Sequence, residues 1–137
     1  MHPSYTMNPI AEELKERVMR FALGVMRLCR TFPETWEARF VADRLFRASA
    51  RSAANYHAAC RGRSSRDFIS KLGMVVEKSD ESVFWLKFAG RAGMSESAEQ
   101  QKLLREGQEL LAIFIQSART ASHNARVASA ARQSSSP

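Results

Sequence analysis

The sequence is poor in the residues that build catalytic and metal centres. Its 137 residues include two cysteines and three histidines. His2 lies near the N-terminus, His57 in a helix of small residues and His123 in the C-terminal tail, so no Cys/His or Ser/His/Asp constellation can be assembled from them. Cys29 and Cys60 have neither the paired spacing of a zinc site nor the density of a disulfide scaffold. We therefore expect reduced thiols in a cytoplasmic, non-enzymatic protein that has no catalytic residues, no metal and no other cofactor.

Long apolar runs, phosphate-binding loops and strand patterns are missing too. No stretch approaches the ~20 consecutive apolar residues that span a membrane, so no membrane partner is expected. Residues 1–10 have neither the basic nor the apolar region of a secretory signal. No glycine-rich loop follows a strand pattern, and alternation with a period of two residues is absent. These absences leave helices as the building elements of the fold.

Four stretches of the sequence carry the alternating three- and four-residue spacing of amphipathic helices. Short loops between them favour antiparallel neighbours, so the predicted fold is all-α, an up-down-up-down four-helix bundle in one domain. Gly62 suits the left-handed residue that ends the second helix, and Ser97 with Gln100 fits a capping box. The expected helix starts are at Asn8, Glu34 or Thr35, Ser64 or Ser65, and Ser95 or Ser97, with loops at 32–34, 61–65 and 90–97.

The composition divides the chain into a bundle and two tails. Residues 1–8 are expected to be an N-terminal tail and residues 9–120 the bundle. From 121 to 137 the chain is rich in Ala, Ser and Arg, with Arg126 and Arg132 and no acidic residue. We expect this basic tail to be disordered, because it has little apolar surface to bury. Two interpretations of its role stay open: an arm that binds nucleic acid, and a frayed helix end followed by a solvated terminus.

The third and fourth helices carry more apolar surface than a bundle core can cover. Ile69, Val76 and Phe84 form a second strip on the third helix, and Leu104 and Leu111 do so on the fourth. Large exposed apolar patches on soluble proteins usually mark interfaces. The sequence therefore predicts a homo-oligomer, without indicating the number of subunits.

Positive charge is the main functional indication in the sequence. There are 21 Lys and Arg residues against 14 Asp and Glu, a net charge of +7, and the pI is about 10.1. No helix-turn-helix, RRM, KH or zinc-finger motif accompanies this charge, so we expect phosphate binding that is largely independent of sequence. Between positions 44 and 71 a single carboxylate, Asp67, faces seven basic residues, which are the candidate nucleic-acid-binding residues Arg44, Arg47, Arg51, Arg61, Arg63, Arg66 and Lys71.

Carboxylates of the third helix could pair with arginines of the second. Glu77 and Glu81 are one turn apart, and antiparallel packing could bring them against Arg47, Arg51 or Asn55. Partly buried arginines need such partners, because an unpaired buried charge costs several kcal/mol. A polar network between the helices and a set of solvated charges on an outer face both remain open. A di-iron site is not expected, since no Glu-x-x-His motif is present.

Three aromatic residues near the basic stretch also admit two interpretations. Tyr56, Phe84 and Trp85 have the large apolar surface that suits core packing or a subunit contact. They could instead stack on the unpaired bases of RNA. The sequence leaves both uses open.

A run of about forty residues follows a specific order of small, polar and aromatic positions. It comprises Arg47-Ala48-Ser49, Ser52, Ala54-Asn55-Tyr56, Ser65-Arg66-Asp67-Phe68-Ile69, Lys71-Leu72, Glu77, Asp80-Glu81-Ser82 and Trp85-Leu86. Together these positions resemble the four helix bundle protein family, also called the 23S ribosomal RNA intervening-sequence protein family. The chain departs from the family pattern at Ala58, where Glu is frequent, and at His57, where a longer basic residue is common.

The resemblance carries expectations of its own. It implies a ring of five subunits. Relatives are encoded within ribosomal RNA genes or act as accessory proteins of diversity-generating retroelements, which implies RNA, and a reverse transcriptase or ribonucleoprotein, as partners. Two function classes follow from residues and resemblance together. One is a non-catalytic nucleic-acid-binding accessory protein, acting on structured RNA or a ribonucleoprotein, and the other is a structural or protein-interaction bundle whose role is oligomeric assembly.

Overall fold

Four α-helices account for most of residues 8–135, the part of the chain that the computed structural model describes. They are α1 (Pro9–Cys29), α2 (Trp36–Cys60), α3 (Ser65–Arg91) and α4 (Ala98–Ser134). No strand occurs in this range, so the prediction of an all-α fold is confirmed. Within the same range no helix combines the length and the apolar character needed to cross a membrane. Residues 1–7 of the expected N-terminal tail, and residues 136–137, lie outside the described residues.

The helices pack as a bundle around one apolar core. Each helix packs against the next along the chain, and α4 returns to pack against α1. The contacts between α1 and α4 are antiparallel, because Arg17 pairs with Glu106 while Gly24 lies beside Leu103. The core includes the fully buried side chains of Val18, Val25, Leu45, Leu72, Leu86, Leu110 and Phe114.

The helices begin at capping residues that the sequence indicates. In each case a side-chain oxygen accepts a hydrogen bond from a backbone N–H in the first turn, which satisfies a donor that has no partner within the helix. The capping box at the start of α4 is half-formed, because the Gln100 side-chain nitrogen donates to the Leu86 carbonyl of α3, 2.6 Å away, and its side-chain oxygen does not accept from the Ser97 N–H. The four caps are Asn8, Thr35, Ser64 and Ser97.

The left-handed glycine lies at the end of α3 and not at the end of α2. Gly93 has φ +71°, and the Met94 N–H donates to the Ala89 carbonyl, which is the Schellman pattern of a helix end. The prediction of a left-handed Gly62 is therefore wrong. Gly62 has no positive φ, and its N–H continues the last turn of α2. It provides space instead, since a Cβ at this position would lie 3.0 Å from the Ala59 carbonyl oxygen.

Small residues let α2 and α3 approach each other closely. Ala48, Ser49 and Ser52 of α2 are buried, as are Ser79 and Ser82 of α3. Compact side chains at a helix contact allow the two backbones to come near, and their hydroxyls need partners once they are buried. This contact holds α2 and α3 side by side, and the candidate site lies on the surface of the pair.

Helix α4 continues well past the predicted end of the bundle. The structure places residues 121–134 in helix, so the expectation that this segment is disordered is wrong over that range. The physical reason is local, because Ala and Arg are strong helix formers and the segment contains no glycine or proline. Most side chains from Arg126 onward are exposed, as expected for turns that extend beyond the core.

Candidate nucleic-acid interface

One face of the α2–α3 pair carries basic residues at intervals of seven. Arg44 and Arg51 follow this interval on α2, and Lys71 and Lys78 follow it on α3. Seven residues make nearly two helical turns, so the members of each set lie on the same side of their helix. Two clefts lie along this face, and we call them together the basic face.

The first cleft has a volume of about 370 Å³. Both of its carboxylates already bind a cation of their own helix. Asp43 accepts from the Arg47 Nε at 2.9 Å, and Glu81 accepts from the Lys78 Nζ at 3.2 Å. The remaining cations give the cleft an excess of positive charge. Its lining residues are Asp43, Arg44, Arg47, Ala48, Arg51, Lys78 and Glu81.

The second cleft, of about 520 Å³, lies where α2 ends and α3 begins. Lys71 and the Arg63 backbone N–H both donate to Asp67, and the hydrogen bond from Lys71 lowers the pKa of that carboxyl. The guanidinium groups of Arg61 and Arg63 are exposed and form no ion pair within residues 8–135. A polyanion would therefore find two uncommitted cations at this end of the basic face.

The structure brings together most of the basic residues singled out in the sequence. Of the seven candidates, Arg44, Arg47 and Arg51 line the first cleft, and Arg61, Arg63 and Lys71 line the second. Arg66 is exposed in the first turn of α3 but lines neither cleft. Sequence reasoning missed Lys78, which lies among acidic neighbours. Lys78 follows Lys71 by seven residues, and this interval could have indicated that both lie on the same side of α3.

The polar network expected between α2 and α3 is not formed within the described residues. Arg47 and Glu81 each pair within their own helix, and Glu77 lies 3.8 Å from the Lys78 ammonium. Arg47 and Glu77 are exposed, and the mostly buried Lys78 side chain has its carboxylate partners on its own helix, so no buried charge requires a partner across the helices. The buried hydrogen bond between the helices joins Ser52 and Ser79 instead. Arg51 and Asn55, the other expected members, also have no bond to the α3 carboxylates.

An exposed group of aromatic rings adjoins the first cleft. Phe40 of α2 and Phe84, Trp85 and Phe88 of α3 form this aromatic patch. The Trp85 ring lies 4.9 Å from Phe84, 5.4 Å from Phe88 and 6.0 Å from Phe40, measured between centroids. The three phenylalanines are each about half exposed. Of the aromatic residues that the sequence left open, Tyr56 belongs to the core, where its ring packs on Phe114.

Burial disfavours the ionised forms of the two thiols and of Tyr56 in the bundle. Burial raises the pKa of Cys29 to about 11 and also raises the pKa values of Cys60 and Tyr56. Tyr56 and Cys60 line a mainly apolar cleft of about 420 Å³ at the end of the bundle where α1 begins. No group of three or more His, Cys, Asp or Glu side chains suited to a metal occurs in residues 8–135.

Comparison with known proteins identifies a relative in fold. No protein-family model matches the chain, and neither does a curated protein. A crystal structure of a protein of unknown function from the S23 ribosomal protein family of Bacteroides thetaiotaomicron is similar, with a TM-score of 0.69 and 19% sequence identity. The match covers 75% of this chain and 95% of that protein. This chain therefore has the helical-bundle fold of an S23 family protein, which agrees with the family that residues 47–86 resemble.

Proposed function

We propose that this chain is a non-catalytic nucleic-acid-binding accessory protein whose basic face holds the phosphates of a structured RNA or a ribonucleoprotein. The observation that carries the proposal is the uncommitted charge on this face. Arg51, Arg61 and Arg63 are exposed there and form no ion pair within the described residues. Cations of this kind release counterions when they bind phosphates, which favours binding to any sequence.

The dimensions of the basic face also suit a polyanion. Positions 44 and 61 are separated by about 25 Å along α2, from the 1.5 Å rise per helical residue. A surface of that length faces several successive phosphates of a nucleic acid strand. Its carboxylates, Asp43, Asp67 and Glu81, are each hydrogen-bonded to a neighbouring cation. They therefore oppose the approach of phosphates less than free carboxylates would.

We further propose that the chain acts as a homo-oligomer. The α4 strip expected to form an interface is half-buried at Leu104 and Leu111, whereas α1 exposes Met19 and Leu23 one turn apart. The surface of α1 is therefore a better candidate for the subunit contact than the strip of α4. An oligomer would repeat the basic face and strengthen binding through multivalency. The family resemblance implies that the oligomer is a ring of five subunits and that a reverse transcriptase is a partner, and we include both in the proposal.

A triple variant tests the basic face. Changing Arg51, Arg61 and Arg63 to Ala should weaken retention of unrelated RNA sequences to a similar extent. The slope of log affinity against log salt should become shallower by about 0.7–0.9 for each phosphate that the variant no longer binds. The matched control changes Arg27, Arg30 and Arg105 to Ala. These residues are exposed away from both clefts, so the control removes the same charge without touching the basic face.

The controls separate this function from the structural alternative. If both triple variants lose affinity equally, overall charge and not the basic face causes binding. If the wild-type protein retains neither RNA nor DNA at low salt, the proposal fails. The chain would then be a structural or protein-interaction bundle, an alternative favoured by the exposed apolar side chains of α1. Native mass spectrometry tests assembly, since a species of 15.4 kDa alone at micromolar concentration would contradict the oligomer.

A further inference from the structure

The aromatic patch and the first cleft form one continuous surface. Arg44 belongs to both, because it lines the cleft while its guanidinium carbon lies 5.0 Å from the centroid of the Phe40 ring. On α3, Trp85 follows Lys78 by seven residues and lies on the same side of the helix. The rings therefore extend the basic face toward the C-terminal end of α3.

Exposed rings beside cations suit one class of ligand well. Nucleobases stack on aromatic side chains regardless of sequence, while nearby cations hold the phosphates of the same strand. In a duplex the base faces are already stacked on one another and only base edges are accessible. A surface of this kind therefore distinguishes unpaired from paired nucleotides.

We infer that the aromatic patch stacks unpaired bases of a single-stranded RNA or DNA segment whose phosphates lie along the first cleft. The inference rests on the proposed function and specifies its ligand, because a structured RNA would be recognised at its loops and single-stranded ends. Phe84 and Phe88 are the most accessible rings of α3 and take the bases, and Arg44 joins the rings to the phosphate path.

Charge argues against a second copy of the chain as the occupant of the patch. Two copies that met through their aromatic patches would bring Arg44 and Arg51 of one subunit toward the same cations of the other. Juxtaposed like charges disfavour such an interface. A polyanion complements the same charges and gains from the rings beside them.

Two phenylalanines of one helix allow a matched test. Phe40 belongs to the patch, whereas Phe46 is similarly exposed on α2 and has no ring contact within the described residues. We would measure the affinity of each Phe→Ala variant for a uridine RNA of about 20 nucleotides and for an RNA duplex of the same length. Phe40→Ala, and more strongly Phe84→Ala with Phe88→Ala, should weaken single-strand binding by about tenfold or more and leave duplex binding unchanged. Phe46→Ala should bind both probes like the wild type.

Tryptophan emission gives a second readout. In a Trp36→Phe background the emission comes from Trp85, and the uridine RNA should quench it more than the duplex does. Equal wild-type affinity for both probes, or unchanged single-strand binding by the patch variants, would overturn the inference while leaving the proposed function intact. Absence of binding to either probe would overturn both. Dissociation of an oligomer by Phe84→Ala with Phe88→Ala would reassign the patch to a subunit contact.

Discussion

The hydroxyl oxygens of Ser52 on α2 and Ser79 on α3 lie 2.7 Å apart in the bundle interior. Both side chains are buried, and one hydroxyl donates to the other, so each oxygen has a hydrogen-bond partner in the core. This pair lies between the two helices that form the basic face. The spacing of the face therefore depends on small side chains beneath it.

Enlarging Ser52 should separate the helices. Ser52→Leu should lower the free energy of unfolding by about 1–3 kcal/mol, because it overpacks a close helix contact and removes the partner of Ser79. Chemical denaturation measures this change. The control Ala54→Leu adds the same side chain at an exposed position of α2 and should alter stability by less than about 0.5 kcal/mol. Equal effects of the two variants would show that the interface between the helices tolerates larger residues.

Two glycines should respond to substitution in opposite directions. A Cβ at Gly107 would lie 3.1 Å from the Phe21 ring, whereas a Cβ at Gly73 would meet no atom within 4 Å. Gly73→Ala should stabilise the protein by about 0.5–1 kcal/mol, because it raises helix propensity without a clash. Gly107→Val should destabilise it by about 1–3 kcal/mol through overpacking. Thermal unfolding of both variants tests the pair, and stabilisation by Gly107→Val would contradict the packing of α4 on α1.

The ion pair between α1 and α4 should contribute more than pairs on the surface. Arg17 donates to both carboxylate oxygens of Glu106 at 2.8 and 3.2 Å, and this hydrogen bonding raises the pKa of Arg17. A double-mutant cycle to Ala should give a coupling energy of about 0.5–1 kcal/mol, reduced at high salt. The control pair Arg20 and Glu16, which is more exposed and 3.5 Å apart, should give a smaller value. A larger coupling for the control would refute the ranking.

Alkaline pH should destabilise the fold in part through Cys29. Burial raises the pKa of this thiol from 9.0 to about 11, so the unfolded chain loses the proton at lower pH than the folded chain does. Its contribution to stability is complete below pH 9 and is lost as the pH rises toward 11. The folded thiol also lies 3.7 Å from the Ala42 carbonyl, an interaction that requires the proton.

Unfolding free energies measured across this pH range test the prediction. Cys29→Ala should show a shallower decline than the wild-type protein. Tyr56 and Cys60 have raised pKa values as well, so part of the decline should remain in the variant. Identical pH profiles for the two proteins would mean that the pKa of Cys29 is the same in the folded and the unfolded chain, which would contradict the prediction.

The four helices could be predicted from the sequence, because helix starts and periodicity depend on interactions within a few residues. Asn8, Ser64 and Ser97 act as caps through such local hydrogen bonds. The helix over residues 121–134 also depends on local preference, and the Ala and Arg content of the segment was the signal available for it. The prediction of disorder was wrong because it weighed the low apolar content of the segment above its helix propensity.

Tertiary packing decides which charges are committed and which rings are exposed. Arg47 binds Asp43 of its own helix, and no network between α2 and α3 forms within residues 8–135, because both side chains lie in solvent. Lys78 lines the first cleft together with Arg51 because α3 packs on α2. The same packing gathers Phe40 with the rings of α3 into the aromatic patch. These arrangements depend on the register between residues of different helices, and the pattern of a single helix contains no information about that register.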